Sequence, residues 1–289
     1  MILEVLGQAL ARLQSLFTGV SQSLAISALL LAVLFGLEVA MIGLPRSSLC
    51  RLQRGGSGAA IDLVSSILIL TNLGLVLGTV MSFGLIYAVT RLVKSCLNLR
   101  LLPHESHPVL SYLVFIVVLD FMNYWAHRLM HRSSELWQVH KFHHTATSMT
   151  MLTALRDHPL ERVILQAFKA VPTALLGVPP QQYLVVQLLL QSLGFLKHSN
   201  LDANWGWIGR WLIQSPRAHH FHHSSRPEHF DANFASIFQF WDVIFGTSLH
   251  STDHHPIEFG LPESAPADGP IRAICRTTKD FYISLRPEL

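Results

Sequence analysis

The chain has 289 residues, 50% hydrophobic and 13% charged, with a mean hydropathy of +0.38. Soluble domains carry about a quarter charged residues, so this balance points to an integral membrane protein. The net charge of +3 comes from scattered basic residues, which gives nucleic acid binding no support. Three cysteines without CxxC spacing argue against a disulfide framework and a thiolate zinc site.

Residues 1–20 carry Glu4 and Arg12 among apolar residues, with no basic leader and no cleavage site. They read as an amphipathic interfacial segment, not a signal peptide. Residues 24–44 form an apolar run of bilayer-spanning length, with Glu38 as its one charge. The link 45–60 holds Arg46, Arg51 and Arg54 and no acid, which favours the cytoplasmic side. From Ile61 to Val93 a second apolar stretch exceeds one span. It is either a tilted helix running into the headgroups or a span with an interfacial turn. Arg91, Lys94 and Arg100 conflict with the orientation that a single crossing would give.

Pro108 opens a third span, 109–126. Asp120, Tyr124, His127 and His131 follow at steps of four, three and four, which places them on one helical face. An acid inside an apolar span is a functional candidate, because burying it unpaired is expensive. The alternative is an interfacial carboxylate capped by Asn123 or water. Residues 160–197 are apolar but interrupted at Pro172 and Pro179-Pro180, giving two pieces short for spans and best read as a hairpin, re-entrant in form. From 198 onward the chain is too hydrophilic to cross again. It is tryptophan-rich to 211, charged around 226–231 and Pro- and Gly-rich in 256–270. The expectation is an all-α integral membrane protein. About four membrane-embedded helices or hairpins would carry a cytoplasmic, helical, histidine-rich metal domain. No linker or repeat divides it; stretches 1–108, 109–260 and 261–289 are its N-terminal spans, histidine domain and tail.

Seventeen histidines are several times the usual share. His127 and His131 project from one helix face, about 6 Å apart along the axis. His140, His143 and His144 stand at i, i+3 and i+4, so at least two can aim at one ion. Ser215-Pro216 is a helix start, with Ser as cap and Pro at the first position. It puts His219, His222 and His223 in the first two turns at the same spacing; His220 lies off that face and is not expected to ligate. Imidazole suits zinc, iron, copper and nickel, and a catalytic ion needs open positions. Eight histidines exceed what one ion takes and suit two. Any single one could be an amphipathic surface residue, but not this repeated pattern.

These three groups resemble the histidine boxes of the fatty acid hydroxylase superfamily, also called the sterol desaturase family. Flanking segments agree: Arg156-Asp157-His158-Pro159-Leu160-Glu161, His198-Ser199-Asn200-Leu201, Ser215-Pro216-Arg217 and Phe240-Trp241-Asp242-Val243-Ile244-Phe245-Gly246-Thr247. The resemblance covers roughly 109–260; the N-terminal spans resemble the family only in being apolar. It implies a non-haem di-iron site on the cytoplasmic face, using O2 and two external electrons to oxidise a C–H bond of a lipid. The implied ligands are His127, His131, His140, His143, His144, His219, His222 and His223, with His198 matching a further histidine between the second and third boxes. His158 is a ligand or a neighbour of one. Asp120, Glu161, Asp231 and Asp242 are the candidate carboxylate partners, Asp231 and Asp242 being solvated in the alternative reading, and Tyr124 stands beside them. Zinc could replace iron in purified protein.

No GxGxxG, CxxCH or HPGG motif occurs, so electrons are expected from a separate carrier, a ferredoxin or cytochrome b5 with its reductase. Hydroxylation of a fatty acyl, sterol-like, carotenoid or alkyl lipid is the expected reaction; desaturation and ether cleavage need the same oxidant. Two other classes compete. A metal transporter would place ionisable residues mid-span in several helices. A zinc hydrolase would carry HExxH, which is absent. The C-terminus lacks an ER-return signal, which with the short chain favours a bacterial inner membrane.

Overall fold

The computed structural model describes residues 25–70, 91–92, 95, 107–250, 256–261 and 269–286. Among them the protein is all-helical, with no strand and only two isolated bridges, Ile213 to Phe238 and Ser224 to Phe259. The proposed segment 1–20 and most of 71–106 lie outside the described residues.

Among the described residues two helices are long and apolar enough to cross a membrane: α1 (Ala25–Ile42) and, further on, α4 (Pro108–Arg132). Between them come the short α2 (Ser48–Arg54) and α3 (Ser57–Leu70). With 25 residues α4 is about 37 Å long, more than the ~30 Å of a bilayer core. Ser133 ends it in an extended conformation and caps α5 (Ser134–His144), its hydroxyl accepting from Leu136 N at 3.2 Å. The chain thereby reverses, and α5 packs back on α4 with its histidines facing those of α4.

The hairpin expected over 160–197 is present as α6 (Pro159–Leu176) and α7 (Pro180–His198). Its break is not at Pro172, which sits inside α6. Proline forfeits the backbone bond to the preceding turn there, yet the helix continues for another turn. The reversal comes at Gly177, left-handed with φ 64°, followed by Pro179-Pro180. Both legs are therefore longer than the sequence suggested, at 18 and 19 residues. Short α8 (Gly206–Trp211), α9 (Pro216–His222) and α10 (Phe240–Ile244) follow. The C-terminal stretch read as a tail contains α11 (Pro270–Ser284), which packs on α5 and whose Asp280 accepts from Lys141 Nζ at 2.8 Å.

The N-terminal helices are stitched to the histidine region by buried acids. Glu38, at the end of α1, accepts from Ser48 N and Oγ at 2.8 Å each and from Asn200 N at 2.6 Å. Asp62 of α3 pairs with Arg156 Nε at 2.6 Å and accepts from Thr150 and Thr153 hydroxyls. Arg156 spends its other nitrogens on Gly58 O and Thr145 Oγ1. Both ions are about 1–2% exposed, so each charge is neutralised inside the protein. Phe35 of α1 packs beside them against Met151, Leu152, Leu155 and Phe195.

Candidate metal centre

Nine histidines from α4, α5, α7 and α9 converge into two adjoining groups. His127, His131, His140, His144 and His222 form one; His143, His198, His219 and His223 form the other. Within each group the ligand-capable atoms all lie within 4.8 Å of one another. The groups meet where the His144 and His223 rings stack at 4.4 Å. Helical spacing is what sorts them. On α5, i and i+4 (His140, His144) face one group while His143 faces the other; on α9, His222 and the pair His219 and His223 divide in the same way.

The second nitrogen of several rings is held by an acceptor. His127 Nδ1 donates to Phe234 O at 2.9 Å, His222 Nδ1 to Ala232 O at 2.8 Å and His198 Nδ1 to Gly194 O at 2.7 Å. His140 Nδ1 donates to the buried carboxylate of Glu161 at 2.7 Å. A carbonyl only accepts, so the ring proton sits on Nδ1 and the Nε2 lone pair is left pointing inward. Those Nε2 atoms crowd one another: His131 to His140 is 3.1 Å, His140 to His144 3.2 Å, His143 to His198 3.2 Å, His198 to His219 3.0 Å and His219 to His223 3.2 Å. Nitrogens ~2.1 Å from one ion and at right angles to each other are about 3 Å apart. Burial and neighbouring imidazoles hold His143, His144, His219 and His223 well below the usual histidine pKa, and burial brings His222 down to about 3. His222 Nε2 is buried with no protein partner among the described residues. A set of neutral, inward-facing lone pairs fits a pair of cations.

The comparisons with known proteins fall on this region. Residues 112–247 match the fatty acid hydroxylase family. The ornithine lipid hydroxylase OlsE of Rhizobium tropici is 30% identical over 132 residues, 46% of this chain and 40% of its own length. Human alkylglycerol monooxygenase is 32% identical over 180 residues, 61% of this chain and 38% of that protein. The sphingolipid C4-hydroxylase sur2 of Schizosaccharomyces pombe is 28% identical, covering 52% of each chain. The chain thus spans about half or less of these relatives. No solved structure matches it.

The region matched by this family places the other candidate residues unevenly. Glu161 touches an imidazole, as above, and Asp231 Oδ1 lies 3.8 Å from His131 Nδ1 with its side chain 53% exposed. Asp120 does not touch the rings: its oxygens accept from Ile237 N, Phe238 N and Trp241 Nε1 at 2.8–3.1 Å. Asn123 is not among these partners. Asp242, expected to be solvated if not a ring partner, is fully buried. It accepts from Phe234 N, Ala235 N and Thr247 Oγ1 at 2.7–2.9 Å. Tyr124 donates to Thr247 Oγ1 at 2.8 Å and supports that arrangement from behind. His158 belongs to neither group; it caps α6, accepting from Leu160 N, and donates from Nε2 to Thr278 Oγ1 at 2.9 Å. His220, excluded by its position, donates to Ser199 O at 2.9 Å. Sequence reasoning missed the carbonyls of Ala232, Phe234 and Gly194, since a backbone acceptor leaves no mark in residue type.

Proposed function

We propose that the chain is a membrane-bound non-haem di-iron oxygenase that hydroxylates a C–H bond of a lipid. The observation that carries this reading is the pair of adjoining, buried, all-imidazole groups inside the region matched by the fatty acid hydroxylase family. His127, His131, His140, His144 and His222 would hold one iron, and His143, His198, His219 and His223 the other. When bound, the irons would use O2, two external electrons and two protons to place one oxygen atom in the C–H bond and release the other as water. The ligand set suits this. Neutral imidazoles leave the ions' charge uncompensated, and Glu161 lends electron density to one of them through His140.

Several features support a multi-pass chain with its metals on the cytoplasmic face. Through Glu38 and Asp62, the end of α1 and the start of α3 bond to the histidine region. Arg51, in the link between them, donates to Met149 O. That link holds Arg46, Arg51 and Arg54 without an acid, the composition of a cytoplasmic loop. The α6–α7 hairpin leaves from Glu161, beside His140, and returns at His198, beside the neighbouring His143, so it crosses an even number of times or not fully. A lipid tail would enter laterally from the bilayer, and electrons would come from a separate ferredoxin or cytochrome b5 system. A bacterial inner membrane suits a relative such as the ornithine lipid hydroxylase.

Among the relatives, the ornithine lipid and sphingolipid hydroxylases favour hydroxylation, while the alkylglycerol monooxygenases favour attack beside an ether oxygen. The test is incubation of membranes containing the protein with a reductase–ferredoxin pair, lipid extract and ¹⁸O2. A lipid heavier by one ¹⁸O atom is expected. Release of a fatty aldehyde would select ether cleavage; a product whose new oxygen carries no label, having come from water, would refute the oxygenase.

A further inference from the structure

Residues 231–238 form an irregular loop against the first histidine group, and every contact it makes with a histidine ring of the two groups is to that group. Ala232 O and Phe234 O accept from His222 and His127. The Phe234 ring borders His127, His131 and His222 at centroid distances of 5.6, 5.1 and 5.7 Å. In the second group His198 turns to Gly194 O instead, and Nδ1 of His143 and of His219 has no partner among the described residues.

The loop cannot hold this shape by helix or sheet bonding. Asp231 and Asn233 are left-handed, with φ of 56° and 58°, a conformation that Asn and Asp tolerate best after glycine. Its backbone N–H groups are instead claimed by two buried carboxylates, Asp242 on Phe234 and Ala235, Asp120 on Ile237 and Phe238. Asn233 ties the loop to Ala218 O and Leu249 O. Lys197 donates to Ala235 O and Gln214 Oε1 and is the counter-charge of both acids.

Building on the two-metal reading, we infer that Asp242 and Asp120 are positioning residues for one metal only. Acting through the carbonyls of Phe234 and Ala232, they fix His127 and His222 with Nε2 as ligating nitrogen in the five-histidine group. The four-histidine group is held without them. Loss of either acid therefore empties one position and spares the other.

The experiment counts metal in detergent-purified full-length protein, alongside melting temperature and gel filtration. His127→Ala and His219→Ala serve as controls, each removing a different one of the two metals. Asp242→Asn keeps the shape but turns an amide N–H₂ toward a loop N–H. It is expected to bind about one metal per chain while remaining folded, and the residual metal is lost on adding His219→Ala but not on adding His127→Ala. Asp120→Asn should repeat the pattern, and Asp242→Glu should restore part of the second metal. Retention of both metals, or parallel loss of both in folded protein, overturns the inference. Should the variants not fold, ¹⁵N-histidine spectra of the zinc-loaded parent decide it: Nδ1–H with zinc on Nε2 at His127 and His222 supports it, and Nδ1 ligation overturns it. Failure of the two controls to remove separate metals would instead count against the two-metal reading.

Discussion

His140 shows how a single ring is specified on both sides. Nε2 stands 3.1–3.2 Å from His131 and His144, while Nδ1 donates to Glu161 across a fully buried contact. Removing such a partner weakens metal binding by about 10–100-fold. Glu161→Gln, which keeps the size and loses the charge, is expected to fall in that range for one of two metals in chelator competition. Unchanged affinity for both would remove Glu161 from the site. His219 and His220 are neighbours with opposite fates. His219→Ala is expected to lose one metal, whereas His220→Ala keeps both because its ring is spent on Ser199 O. Residue spacing foretold that division, since it needs only the helical period. The burial of Asp242 was not legible, because its shell comes from Phe234, Ala235 and Thr247 folding around it.

Elements joined by buried charge are the next level. Asp62 and Arg156 bind α3 to the turn that follows α5. Deleting one member leaves the other charged and buried, which costs about 3–5 kcal/mol. Asp62→Ala should therefore lower thermal stability markedly and loosen the histidine region, read as faster proteolysis between α5 and α6. A change in melting temperature within error would show that the pair is solvated. Helix starts marked by local chemistry were readable: Ser215 caps α9 by accepting from Ala218 N at 3.2 Å, as Ser-Pro implies. The α6 boundary was misjudged because Pro172 resembles a breaker, while the actual stop depends on Gly177 adopting φ 64°. α11 was overlooked behind its Pro- and Gly-rich approach. Its helical period, with Ala273, Ile274, Thr277 and Phe281 on the inner side, was the signal available, and the exposed Ile271, Tyr282 and Ile283 blur it.

On the scale of the whole molecule, the fold keeps a large set of imidazoles neutral. His143, His144, His219 and His223 have their pKa values depressed by burial, while unfolded histidine titrates near ~6.5. Below that pH the unfolded chain binds protons that the folded one refuses, so stability falls with falling pH. Metal-free protein is expected to hold its melting temperature between about pH 7 and 8 and to lose it progressively below ~6.5. A melting temperature that rises on acidification would contradict the neutral assignment. The most direct measurement of the account remains metal stoichiometry, taken on iron-supplied, purified protein beside His143→Ala, His222→Ala and the double variant. Two irons per parent chain, one in each single variant and none in the double are predicted. A single zinc per chain, or metal content indifferent to these substitutions, would contradict a dinuclear oxygenase.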